Sequence, residues 1–261
     1  MSTQLRSEIH KLTSTRLWWI LLLAMAIGSA GITALVVFAG LNAPRSPLDF
    51  NTAEGVVPAY NIALALTYIF PLAIGVVLVT QEHHSRTLTA TLLAEPRRAR
   101  VYGAKIAVGL CTALLYGVVS VASGALVTAA LLTGHGQSSF LTHTSVLSAL
   151  AGSVVVLTLW GAIGVGVGAL VRNQTVAIVG ILVLTQFLEP ALRVLSSSLG
   201  HSAMAHLLPG SAGDLAGGGT IMSAATQATG GTQTLGFLVL AFYALAICAL
   251  GAVRFARYQV S

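Results

Sequence analysis

Charge-free apolar runs alternate with short polar stretches along the whole chain. Leu17–Leu41 lies between Arg16 and Arg45, and Val56–Thr80 lies between Glu54 and Glu82. From Lys105 to Arg172, 66 residues pass without a charge, and the polar stretch Thr133–Ser139 divides them into runs at about 104–132 and 145–171. Val176–Leu188 has only 13 residues. A helix needs about 20 apolar residues to cross a bilayer, so this run must draw on Asn173–Thr175 or Ala191–Leu195 to make a span at 173–195. The last run covers 234–253. None shows the residue-by-residue alternation of a barrel strand. The pattern predicts an all-α integral membrane protein, a single domain over 1–261 with six transmembrane helices.

Composition agrees. Hydrophobic residues make up 56% of the chain and charged residues 8%, against about 25% charged in a soluble domain. Disorder is excluded too, because disordered chains are polar and rich in like charge. The net charge of +6 sets orientation rather than attracting nucleic acid, as the placement of the basic residues shows. Arg6, Lys11, Arg16, Arg86, Arg97, Arg98, Arg100, Lys105, Arg172, Arg254 and Arg257 all fall on one side of the six-span plan, leaving Arg45 and Arg193 on the other. By the positive-inside rule, both termini are cytoplasmic, segments 42–55 and 196–233 are outside, and the protein sits in the cytoplasmic (inner) membrane. Cys111 and Cys248 lie in apolar runs and suggest no disulfide framework.

Ahead of the first span, Leu5, Ile9 and Leu12 recur at i, i+4 and i+7 among polar residues, which fits an amphipathic helix in the cytoplasmic interface. Segment 196–233 is long for a structureless loop and is expected to hold short helices folded onto the outer membrane surface. Gly164 and Gly168 make a small-residue face for close helix packing, within the chain by default.

Several chemistries are missing from the sequence. There is no Gly-x-x-x-x-Gly-Lys-[Ser/Thr] loop to cradle phosphates. There is no metal-ligand spacing beyond His83-His84, which reads as a loop pair. Gly210-Ser211-Ala212-Gly213 reads as a turn rather than a nucleophile elbow. The chain is therefore expected not to be an enzyme and to bind no cofactor or metal. No charged residue falls near the centre of a span, with Glu189 placed at the outer rim, which argues against a proton-driven carrier. If the protein moves a solute, the energy enters from outside the membrane.

The loop between spans two and three carries the most information. It runs Gln81-Glu82-His83-His84-Ser85-Arg86-Thr87-Leu88-Thr89-Ala90-Thr91-Leu92-Leu93-Ala94-Glu95-Pro96-Arg97-Arg98-Ala99-Arg100-Val101-Tyr102-Gly103-Ala104-Lys105. Ser85 suits an N-cap and Pro96 a helix stop, with Leu88 and Leu92 one turn apart on a greasy edge. In its order of Glu82, Thr87-Leu88, Pro96-Arg97-Arg98 and Lys105, this segment resembles the permease subunits of ABC-2 type transporters. Glu8–Lys11 followed by Arg16-Leu17-Trp18-Trp19 is similar to that family's entry to span one. The motif covers about 25 residues and the layout the whole chain. The resemblance implies a half-transporter that pairs with a second copy or a related permease. Two separate ATPase subunits would supply ATP and Mg. A coupling helix within 82–98 would seat in the ATPase, with Glu82, Thr87, Leu88, Leu92, Pro96, Arg97, Arg98 and Lys105 as the coupling residues. Anionic-lipid attraction is the simpler role for Arg97, Arg98 and Arg100 and is compatible with coupling.

The apolar spans suit a hydrophobic or amphipathic substrate, and the resemblance implies that it is moved outward and is a drug, an antibiotic or a lipid-like compound. Asn61 in the outer third of span two, Tyr68 near its middle and Gln186 in span five are candidate path residues, with interhelical glue as the plainer reading. A non-transporting membrane anchor for soluble partners is the alternative function. A lipid-acting intramembrane enzyme would need a nucleophile or metal constellation at membrane depth, and the sequence shows none.

Overall fold

The computed structural model describes residues 2–43, 46, 48–84, 97–171, 173–199, 205–219 and 231–257. Among them all regular structure is helical. Helix α1 (Ser2–Thr13) precedes span one, α2 (Leu17–Asn42). Span two is broken into α3 (Val57–Tyr60), α4 (Leu64–Thr67) and α5 (Ile69–His84). Span three is α6 (Arg98–Gly134) and span four α7 (Thr144–Leu170). Span five joins α8 (Gln174–Val183), a π turn (Leu184–Leu188) and α9 (Glu189–Ser198). A short helix, α10 (Pro209–Ala216), comes before span six, α11 (Gln233–Ala256). Among the described residues, six helical stretches are long and apolar enough to cross a membrane.

Span four is the axis of the bundle, touching spans two, three and six. Its glycines allow this. A Cβ on Gly164 would strike the Leu72 carbonyl, one on Gly168 would lie 2.8 Å from the Val76 carbonyl oxygen, and one on Gly166 would lie 2.8 Å from Ile247. The small-residue face therefore serves packing inside the chain, bringing span two against span four backbone to backbone.

Three segments carry detail that the apolar pattern does not, each for a polar reason. In α1 the residues turned to the bundle are Leu5, Glu8 and Leu12, while Ile9 is 50% exposed. A carboxylate takes the central place on that face because cations await it, as described below. Helix α10 is buried between spans four and six instead of lying on the outer surface, and it makes Gly210–Gly213 helical rather than a turn. Span five runs on past Glu189-Pro190 to Ser198, so Glu189 is buried within a continuous helix instead of standing at the rim. Pro190 offers no N–H to the turn before it. The backbone widens there, and Glu189 N–H bonds the Leu184 carbonyl five residues back.

Candidate coupling site and outer cavity

At the end of span two that adjoins α1, four charged side chains from three elements meet. Lys105, in the second turn of span three, is fully buried. Its Nζ donates to Glu8 Oε2 at 2.7 Å and to the Leu78 carbonyl at 3.1 Å, and lies 3.0 Å from Glu82 Oε2. Lys11 Nζ donates to Glu8 Oε1 at 2.8 Å and bonds Glu82 Oε1 as well. Two carboxylates and two ammonium groups thus alternate in a closed, charge-balanced ring. Burial alone would lower the pKa of Lys11, but hydrogen bonds and charge from Glu8 and Glu82 outweigh it and hold the group above its ordinary value of 10.5. A cavity of about 230 Å³ lies beside the ring, lined by Ser14, Leu78 and Gln81 besides the four ions. It has the polarity and room to hold water.

The ring fastens α1 to spans two and three at both borders of the loop 85–96. Removing one partner from a buried pair typically costs about 3–5 kcal/mol, because the other is left charged and dry. The motion of any one of the three elements is thereby shared by the others. Arg98 makes a further tie, donating from Nη1 to the Ala256 carbonyl at the end of span six at 2.7 Å. Arg97 is exposed as the N-cap residue of α6. Thr87, Leu88, Leu92 and Pro96 lie outside the described residues.

At the opposite end of span two, the polar groups form two networks. Tyr68 bonds Thr185 through its hydroxyl and packs its ring on Trp160 with centroids 4.5 Å apart. Gln186 donates to the Tyr68 hydroxyl at 2.9 Å and to the Ala65 carbonyl at 3.1 Å. Tyr68 and Gln186 are therefore brought together across spans two and five. Asn61 belongs to the other network: its amide donates to the Gly217 carbonyl and accepts from Ser153 Oγ at 2.8 Å. Between Asn61 and Tyr68 the backbone tightens, with Leu64 N–H bonding the Asn61 carbonyl three residues back. The two side chains consequently do not share one helical face.

A cavity of about 80 Å³ lies at the Tyr68 network, bounded by Trp160, Thr185, Gln186, Arg193 and Asp214. On its wall sits a charged triad. Glu189 accepts from Arg193 Nη2 at 2.7 Å, from Gly210 N–H at 2.9 Å and from Ser211 N–H at 2.6 Å, capping α10. Arg193 Nη1 donates to Asp214 Oδ2 at 2.9 Å. A Cβ on residue 210 would lie 2.7 Å from the Glu189 carboxylate, so glycine lets that side chain reach the α10 amides without shifting.

A family model described as ABC-2 family transporter protein matches residues 4–189. The chain belongs to the ABC-2 transporter family. No curated protein matches it. It is accordingly a multi-pass membrane protein, a transporter permease of a family whose members serve as membrane subunits and not as the catalysts. The match includes all four members of the inner ring and ends on Glu189, short of Arg193 and Asp214.

Sequence reading reached Glu82 and Lys105 of the permease's inner ring through the family motif, but not their partners. The signal that points to Glu8 is an acid set between Leu5 and Leu12 on one helical face. Lys11, one turn on from Glu8, completes it. Arg193 and Asp214 carry no such signal, because 21 residues separate them and α10 is too short to reveal itself by periodicity.

Proposed function

We propose that this permease is half of the membrane part of an ATP-driven exporter in the cytoplasmic membrane. It pairs with a second copy or a related permease and moves a hydrophobic or amphipathic compound outward. Two separately encoded ATPase subunits, holding ATP and Mg, engage segment 82–98. The inner ring carries this reading. Glu82 and Lys105 border the loop that would take the push, and buried ion pairs join them to each other and to α1. A force on the loop is then transmitted to spans two and three as a unit instead of dissipating in side-chain slack. The abundance of basic residues on this side supports a cytoplasmic placement. The aromatic pair Tyr68–Trp160 beside hydrogen-bonding groups in the outer cavity suits a substrate with an apolar body and a polar handle.

The test is to co-express the permease with the P-loop ATPase encoded nearest to it and to reconstitute the purified complex. ATP-dependent uptake of a lipophilic dye into inside-out vesicles is expected. A stable complex that hydrolyses ATP but moves none of a panel of hydrophobic compounds would favour the anchor reading. Failure to co-purify with any ATPase would refute the transporter assignment of the loop.

A further inference from the structure

The outer cavity holds a few waters at most. Pockets that enclose a drug-sized molecule measure about 300–1,000 Å³. If the exporter reading holds, on which this inference rests, the cavity is the closed form of the exit and one wall must move. The packing shows which. Span two has 78% of its most apolar stretch buried and span five only 17%. Within span five the two halves are held differently. The first half packs Ala177, Ile178 and Ile181 against the apolar core. From the π turn onward, Thr185 and Glu189 alone are buried among the described residues, and polar contacts do the holding. Leu188, Leu192, Val194 and Leu195 face outward. Lipid tails are as apolar as these side chains, so displacing them within the bilayer costs little.

Helix α10 is fixed by contrast. A Cβ on Gly236 of span six would lie 2.5 Å from the Ala212 carbonyl oxygen, and one on Gly152 of span four 2.6 Å from that of Ala216. Gln233 Nε2 donates to the Ala216 carbonyl at 2.8 Å. Ties between the mobile wall and the fixed helix include Glu189 on the first N–H groups of α10 and Arg193 on Asp214.

We propose that Arg193 is the latch of an outer gate. It clamps the second half of span five to α10 and keeps the cavity shut, and its release lets that half swing about the π turn at 184–188 and open the exit. Polar latches suit this task, because in a low dielectric they switch between made and broken states rather than yielding gradually. A π turn next to a proline is a natural hinge.

The test uses a thiol at the cavity wall. Gly213 is buried, and a Cβ there meets Trp160 and Val156 at an ordinary 3.4 Å. Gly213→Cys is made with Cys111→Ala and Cys248→Ser and placed in lipid nanodiscs, where both faces meet water. A charged methanethiosulfonate reagent should label it slowly. Adding Arg193→Met should raise the rate by about tenfold or more, since two buried carboxylates lose their shared cation. Asp214→Ala, which leaves the Glu189–Arg193 pair and the α10 cap in place, should raise it several-fold. Leu192→Ala, on the outward face of the same helix, should leave it unchanged. Labelling of both latch variants at the parent's rate, with each still monodisperse on gel filtration, would overturn the proposal. Should Arg193→Met fail to fold, Asp214→Ala decides alone. The readout needs no ATPase, so it stands or falls separately from the exporter reading.

Discussion

Replacing Lys105 with Met removes the most deeply buried charge of the inner ring while keeping the length of the side chain. Lys105 Nζ satisfies Glu8 at 2.7 Å, Glu82 at 3.0 Å and the Leu78 carbonyl at 3.1 Å. Without it, Glu8 and Glu82 keep Lys11 between them, and the four-membered ring changes from neutral to a single net negative charge. Breaking such a pair costs about 3–5 kcal/mol, whereas an exposed pair is worth about 0–1. Charge balance makes a sharper prediction. Adding Glu8→Gln to Lys105→Met returns the ring to neutrality through Glu82 and Lys11, so the double variant should recover about 1–3 kcal/mol relative to additivity. Equilibrium unfolding of the four proteins of this cycle, in mixed micelles of increasing SDS fraction, measures both quantities. A loss below about 1 kcal/mol for Lys105→Met, or strict additivity in the double variant, would show that the ring is hydrated and weak.

Five further outcomes follow from particular contacts and charges. Gly168→Ala places a Cβ 2.8 Å from the Val76 carbonyl and should destabilise by about 1–3 kcal/mol. Gly180→Ala meets nothing within 4 Å and should stabilise by about 0.5–1 kcal/mol in the same SDS titration. Asn61→Leu strands the Gly217 carbonyl and should cost about 1–3 kcal/mol with substrate selectivity unchanged. Gln186→Leu should instead alter substrate-stimulated ATPase activity of the assembled complex at nearly constant stability. Lys11 is held above its ordinary pKa of 10.5, so its contribution is complete below that pH and is lost as pH rises through the folded-state value. The stability gap between the parent and Lys11→Met should be flat from about pH 6 to 9 and close only above about 10.5; a gap that closes near neutrality would contradict the ring geometry.

The helical class and the six spans were legible because the bilayer writes them as uninterrupted apolar runs of fixed length. The packing face at Gly164 and Gly168 was legible for a similar reason, since only glycine admits the Leu72 and Val76 backbone so closely. Polar side chains were harder to place. The order Glu82 to Lys105 marked a site, but nothing local says that Lys105 points at Glu8, 97 residues earlier. Leu5, Ile9 and Leu12 marked an apolar face of α1 for the membrane interface, and nothing in that spacing says that Glu8 turns to the bundle between Leu5 and Leu12. Glu189 was set at the rim of span five, because a carboxylate suits water better than a helix bundle. Inside a protein, Arg193 and the amides of α10 neutralise the glutamate, and a π turn accommodates the proline. Asn61 and Tyr68 lie seven residues apart, a spacing that shares one face in a regular α-helix, but tightened turns between them shift the register and put them in separate networks.

The central claim is that the inner ring carries force between an ATPase and the spans, and coupling efficiency measures it most directly. In the reconstituted complex, transport and ATP hydrolysis are followed together for the parent and for Glu82→Gln, which keeps the shape of the side chain and removes its charge from Lys11 and Lys105. Normal membrane insertion and ATPase binding, continued hydrolysis, and transport per ATP lowered by about tenfold are expected, the effect of loosening the buried block by about 1.4 kcal/mol or more. Full transport per ATP in the folded variant would contradict the claim.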